Sequence, residues 1–241
     1  QMKDKIFAAF REAVSDIPDG ASVMMTMFGG PAGVPQNLIL ALRDHGAKGL
    51  VVIACPNFGF SGGVRVKPGF KPYITPNILV ENNQVKKGIV PWGRGEPGSP
   101  SAFEEAVLSG RVEGEIIPLG VFAHRLRAGG SGIGAFYSPI GIGTVYEKGK
   151  EKRAINGRDY IMEYPLRADF GFVRAYKADR LGNLVYKGTG RSFNPLIAKA
   201  CHVTIAEVDD IVEIGELDPE HIVTPGIYID RIARIPEGGW K

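Results

Sequence analysis

An α/β fold, a mainly parallel open sheet with added antiparallel ribbons, is predicted by three features of the sequence. Residues 23–27 and Leu50–Cys55 are almost wholly apolar, without the alternation of a strand that keeps one wet face, so they suit strands covered on both sides. A helix-like stretch at 36–43 separates them through short loops, which makes a βαβ unit. From Gly143 onward the pattern turns to short β segments, with Asn156-Gly157 as a favoured hairpin turn.

Taken in order, residues 5–14 place Ile6, Phe7, Ala9, Phe10 and Val14 at helical spacing, and Pro18-Asp19-Gly20 ends that helix with a turn. The first strand, a glycine loop, a helix ending near His45-Gly46 and the second strand follow. Residues 56–77 break the periodicity and read as a loop insertion that begins at the carboxyl edge of the sheet, where ligands of open α/β sheets gather. Asn57 lies in it. Residues 84–90 read as a short helix end and strand, and 93–100 as a glycine and proline loop. A helix at 101–108 carries Glu104 and Glu105 in its first turns, where the macrodipole favours negative charge. Residues 113–120 are a strand and turn, and 121–127 a helix capped by Gly129-Gly130. Residues 131–139 are too glycine-rich for a regular element and form a second candidate ligand loop. Further β segments are expected at 144–146, 153–155, 160–164, 168–176, 184–186, 201–208 and 211–214, with a helix at 194–200. Ile229, Ile232 and Ile235 fit a docked terminal element.

The 241 residues suffice for one domain over 1–241 that buries a sizeable core, with its loop insertion near 56–77. Hydrophobic residues make up 44% and no apolar run approaches the roughly 20 residues of a bilayer span, so a soluble, cytoplasmic protein with no membrane role is expected. The net charge of +3 is spread without a basic block, which argues against nucleic acid. Cys55 and Cys201 stand far apart without clustered histidines, so buried thiols are expected in place of a metal site.

The stretch Phe28-Gly29-Gly30-Pro31-Ala32-Gly33-Val34-Pro35 is the sharpest chemical signal. Three glycines in six positions let the backbone take positive φ, bring its amides near a ligand and hand over to a helix start that favours an anion. A tight turn that binds nothing is the competing reading. His124, Asp169 and Asp179 are expected to serve surface, turn or interface roles rather than catalysis.

These pieces together resemble the α (A) subunit of the family I coenzyme A transferases, the acetate, 3-oxoacid and 3-oxoadipate type. The likeness rests on Asp19-Gly20-Ala21-Ser22 with the glycine loop, on residues 124–137, on Leu166-Arg167-Ala168-Asp169-Phe170 and on residues 179–186. Arg191-Ser192-Phe193-Asn194-Pro195 and residues 215–228 complete it. Such family members usually read Gly-Gly-Phe-Gly in the opening loop, where this chain has Phe28-Gly29-Gly30-Pro31. Leu119 stands where a glutamine is common, which implies a more apolar pocket.

The resemblance implies a coenzyme A transferase fold and an active site shared with a homologous β subunit, in a heterodimer or heterotetramer. The catalytic glutamate is then on the β subunit; it takes CoA from an acyl-CoA as a glutamyl-CoA thioester, which a carboxylic acid opens. No catalytic residue is expected on this chain and no permanently bound cofactor; coenzyme A or acyl-CoA is substrate. The residues expected to wall the substrate or CoA site are Phe28, Gly29, Gly30, Gly33, Asn57, Leu119, Gly129 and Gly130. Two other readings are an acyl-CoA hydrolase or C–C bond-cleaving enzyme on the same fold, and a non-catalytic CoA-binding module.

Overall fold

The computed structural model describes residues 4–59, 73–93 and 100–240. Most of the expected insertion and of the loop at 93–100 lies outside them. The strands are β1 (Ile6–Phe7), β2 (Ser22–Thr26), β3 (Leu50–Cys55), β4 (Val85–Val90), β5 (Glu113–Ile116), β6 (Phe136–Ser138), β7 (Lys152–Ile155), β8 (Arg158–Glu163), β9 (Ala168–Asp179), β10 (Leu184–Val185), β11 (Cys201–Val212) and β12 (Arg231–Arg234). The helices are α1 (Phe10–Ala13), α2 (Gln36–His45), α3 (Asn77–Glu81), α4 (Ala102–Leu108), α5 (Leu119–Ser131) and α6 (Asn194–Ala200).

Eight strands make a parallel sheet in the order β1-β12-β11-β9-β2-β3-β4-β5, and β10 joins it antiparallel to β9. The expected architecture holds, with a refinement in the second half. The antiparallel strands β6, β8 and β7 form a sheet of their own, whereas β9, β11 and β12 extend the main sheet in parallel. The reason lies in β9: Phe170 to Ala175 are buried without interruption, the signature of a strand covered on both faces, whereas β7 and the start of β8 are exposed.

Alternate side chains sort the core into two layers. Val23, Met25, Phe170, Phe172 and Ile205 pack with Leu38, Ile39 and Leu42 of α2. Met24, Ile53, Val173, Ala206 and Val208 pack with Phe122 and Leu126 of α5 and Ile197 of α6. Each of the larger side chains contributes about 1.5–3 kcal/mol when removed from water, so helices cover both faces and the sheet edge is left for loops.

Several local expectations change. Residues 5–14 split into β1, pinned to β12 by the Ile6↔Ile232 register, and the single-turn α1. Sheet pairing outweighs the helical spacing there. Residues 145–147 form a 3-10 turn capped by Thr144 instead of a strand. Gly129 and Gly130 do not cap α5; the helix runs on to Ser131 and Gly132 ends it in the left-handed conformation. Within 131–139, Phe136–Ser138 pairs with β8. Residues 211–212 continue β11.

Candidate active site at the switch point of the sheet

From β2 the chain steps outward through β3, β4 and β5, and later returns on the other side of β2 through β9, β11 and β12. The strand order therefore reverses between β2 and β9. The crevice outside the carboxyl ends of such a pair is where open α/β sheets bind ligands. The glycine loop leaves β2 at that point.

Thr26, fully buried, holds the loop's first turn: its Oγ1 accepts from the Phe28 amide at 3.1 Å and donates to the Cys55 carbonyl at 3.3 Å. Its remaining neighbour is the Ser192 hydroxyl at 3.2 Å. Either hydroxyl can serve as the donor in that pair. Ser192 has φ +36° and ψ −131°, a strained backbone for a residue with a side chain.

The loop faces a second backbone wall, the 3-10 turn Gly188–Arg191. A side chain on Gly29 would stand 2.5 Å from the Thr189 carbonyl oxygen, and one on Gly190 2.5 Å from that of Ala32. On Gly33 it would meet the Phe28 carbonyl oxygen at 2.4 Å. These glycines are therefore required by backbone packing. Gly30 differs: it takes φ +62° and ψ −160°, and space is open around it. Among the described residues, the amides of Gly29 and Gly30 donate to no acceptor. Phe28, 37% exposed, stacks on Phe193 at 5.9 Å, and Phe193 meets Phe122 of α5 edge-on at 6.3 Å.

The start of α2 does not await a ligand. Glu207 of β11, fully buried, accepts from the amides of Asn37 (2.8 Å) and Leu38 (3.0 Å) and from Asn37 Nδ2 (2.9 Å). Arg174 Nε lies 3.6 Å from the same carboxylate, and its Nη2 pairs with Asp209 at 2.7 Å. Burial pushes the Glu207 carboxyl up to about 7, against the pull of Arg174 and the three donors. The helix-terminal anion position expected for a ligand is thus filled from within the chain.

The other residues expected to wall the site divide by sheet edge. Asn57 follows β3 at the carboxyl edge, half-buried, with Oδ1 accepting from the Gly59 amide at 2.9 Å. Leu119 opens α5 near that edge and is 43% exposed. Gly129 and Gly130 lie at the opposite edge, in the last turn of α5. A side chain on Gly129 would stand 2.4 Å from the carbonyl oxygen of Leu166, just ahead of β9, and one on Gly130 would stand 2.6 Å from Lys199 Cβ of α6. The structure thus gives both a packing role away from the crevice. Glu81 ends α3 exposed, and His124 is exposed against Phe136. Asp179 fixes its turn through the amides of Leu181 and Asn183, and Ser22 holds the Asp169 carboxyl below the usual carboxylate range.

Sequence reasoning passes over Thr26 and assigns no role to Ser192 or Asn194. A cavity of about 750 Å³ lies between β5, α5 and the small sheet, with Pro118, the neighbour of Leu119, in its lining. Burial raises both thiols, Cys55 and Cys201, well above the usual range. No cluster of metal-ligating side chains occurs among the described residues, and none of their helices is long and apolar enough to cross a membrane.

Residues 7–234 match the family described as Coenzyme A transferase. The A subunit of the 3-oxoadipate CoA-transferase of Pseudomonas putida is 40% identical over 234 residues, covering 97% of this chain and 95% of that protein. The A subunit of the probable succinyl-CoA:3-ketoacid coenzyme A transferase of Bacillus subtilis is 41% identical over 229 residues, covering 95% and 89%. Among solved structures, an acyl-CoA transferase from Escherichia coli O157:H7, in thioester complex with CoA, is similar with a TM-score of 0.80 at 20% identity. The match covers 97% of this chain and 50% of that one, so this chain spans half of that protein's length. At this identity the likeness is one of fold.

Proposed function

The chain belongs to the coenzyme A transferase family, and from that premise we propose the part it plays in the reaction. It is the α-type subunit of an enzyme that moves CoA from an acyl-CoA to a carboxylic acid, paired with a homologous β subunit. The two relatives above both carry the A-subunit name. The nucleophile is a glutamate of the β subunit: it attacks the acyl-CoA carbonyl and expels CoA thiolate to give a mixed anhydride. The thiolate attacks the glutamyl carbonyl and releases the donor carboxylate. The resulting glutamyl-CoA thioester is opened by the acceptor carboxylate through the reverse pair of steps, which frees the glutamate. CoA enters as a substrate.

The observation that carries this reading is the pair of amides at Gly29 and Gly30, unpartnered among the described residues, at the switch point, with open space beside Gly30. Two fixed N–H donors stabilise an oxygen on which negative charge develops, and they do so without reorganising as the reaction proceeds. Phe28, Asn57 and Leu119 complete the wall on this side, two apolar faces and one amide. The arrangement suits an acyl or carboxylate group that arrives with the partner's glutamate.

Co-expression with the β subunit, followed by incubation with an acyl-CoA, tests the division of labour. Borohydride or hydroxylamine is expected to modify the partner chain alone, and modification of this chain overturns the proposal. Gly30→Val is expected to lower transfer by about 10²-fold with assembly intact, the scale of a misplaced reacting group.

A further inference from the structure

The two walls of the crevice are fastened by one side chain that neither the glycine pattern nor the family likeness assigns. Asn194, the first residue of α6, is fully buried. Its Nδ2 donates to the Gly33 carbonyl of the glycine loop at 3.1 Å and to the Gly190 carbonyl of the facing turn at 2.9 Å. Its Oδ1 accepts from the Arg174 amide of β9 at 3.0 Å. Both donors and one acceptor site are thus spent on backbone groups of three separate segments. A second rung, Thr26 to Ser192, crosses the same gap at 3.2 Å.

We propose that Asn194 is a positioning residue of the transfer reaction: it sets the spacing of the two walls, and with it the aim of the Gly29 and Gly30 amides. Gly33 closes the 3-10 turn that Gly30 opens, its amide donating to the Gly30 carbonyl at 2.9 Å, so a shift at the Gly33 carbonyl is passed directly to Gly30. Residues 33–39 are buried throughout, so the loop cannot absorb the shift toward α2. Arg174 strengthens the frame, since its amide holds Asn194 while its guanidinium stands beside Glu207 at the start of α2. The substituents that meet substrate are on other residues.

This inference rests on the transferase reading. Asn194→Asp keeps the shape and the acceptor toward Arg174 but sets a carboxylate against two buried carbonyls; protonation restores one donor, and burial among acceptors raises the pH at which that happens. In the αβ enzyme at neutral pH, Asn194→Asp is expected to lower kcat by about 10–100-fold with KM within about threefold. The deficit is expected to shrink by about tenfold on acidification toward pH 5.5. Asn194→Ala, which has no donor to regain, is expected to show a deficit that does not shrink. Wild-type kcat in Asn194→Asp, or a deficit equal at every pH, overturns the proposal. If Asn194→Asp does not assemble, Asn194→Ser, which retains one donor, is expected to lower kcat, and wild-type kcat there overturns it equally. Amide exchange of residues 28–33 and 188–192 in the full variant chain gives a readout independent of transfer. Both segments are expected to lose protection together at neutral pH and regain it in acid, and unchanged protection counts against the proposal even if no acyl-CoA proves to be a substrate.

Discussion

Two glycine-rich stretches, 28–33 and 129–134, look alike in the sequence and lie at opposite edges of one sheet. The first leaves the carboxyl end of β2, at the point where strand order reverses, and presents amides that are unpartnered among the described residues. The second finishes α5, beside the segment that precedes β9, where Gly129 and Gly130 let the helix approach the Leu166 carbonyl and Lys199 of α6. Their difference shows that glycine content marks close approach without saying what approaches. In 28–33 itself, Gly29 and Gly33 are spent on backbone packing, and only Gly30 faces open space.

The comparison is broken most severely at Glu207. If the start of α2 were kept for a ligand, removing this carboxylate would leave stability unchanged. The structure instead predicts that Glu207→Ala strands Arg174 and the first-turn amides of α2 and costs about 3–5 kcal/mol in urea unfolding. The same carboxyl adds a pH dependence of definite sign. Its folded value of about 7 stands above the ordinary 4.5, so its contribution is fully present below 4.5 and lost as pH rises through about 7. Relative to Glu207→Gln, the wild-type chain is expected to lose unfolding free energy between about pH 4.5 and pH 7, the interval between those two values. A parallel pair of curves refutes that assignment.

Next in size are the packed glycines. Gly129→Ala and Gly33→Ala each drive a methyl to 2.4 Å from a backbone oxygen, which cannot swing aside as a side chain end can. Each is expected to cost about 1–3 kcal/mol, the range for overpacking, read as a lower Tm. Equal losses at the two edges would show that the stretches share a packing demand even though one alone lies at the crevice.

Much of this was legible in the residues. The covered strands Val23 to Met25 and Leu50 to Cys55, the glycine loop between a strand and a helix, and the family likeness all come from local pattern. What escaped depends on contacts across long separations. Glu207 is 170 positions from Asn37, and Thr26 is 166 from Ser192, so no spacing rule joins them. Ser192 takes a backbone conformation that its residue type does not advertise. Residues 5–14 misled for the converse reason: a real helical spacing lost to pairing with β12, which sets Ile6 and Phe7 beside Ile232 and Ala233.

The smallest effect on stability separates the two stretches most cleanly. Gly30 and Gly132 both have positive φ, +62° and +72°, and neither has an atom within 4 Å of the place a methyl group would take. An alanine at either therefore meets no clash and carries only backbone strain. That strain is about 1–3 kcal/mol at Gly30, whose ψ of −160° falls in a region nearly confined to glycine. At Gly132, a left-handed helix end with ψ 15°, it is about 1 kcal/mol. The two variants are thus expected to melt within a few degrees of each other, yet to differ in catalysis. Gly30→Ala turns the Gly29 and Gly30 amides and is expected to lower kcat by at least tenfold, whereas Gly132→Ala keeps the wild-type value, because its strain is confined to an exposed helix end at the far edge of the sheet. Steady-state kinetics of both variants, each assembled with its partner and matched for Tm, decides the matter. Equal kcat values would reduce the opening loop to a turn.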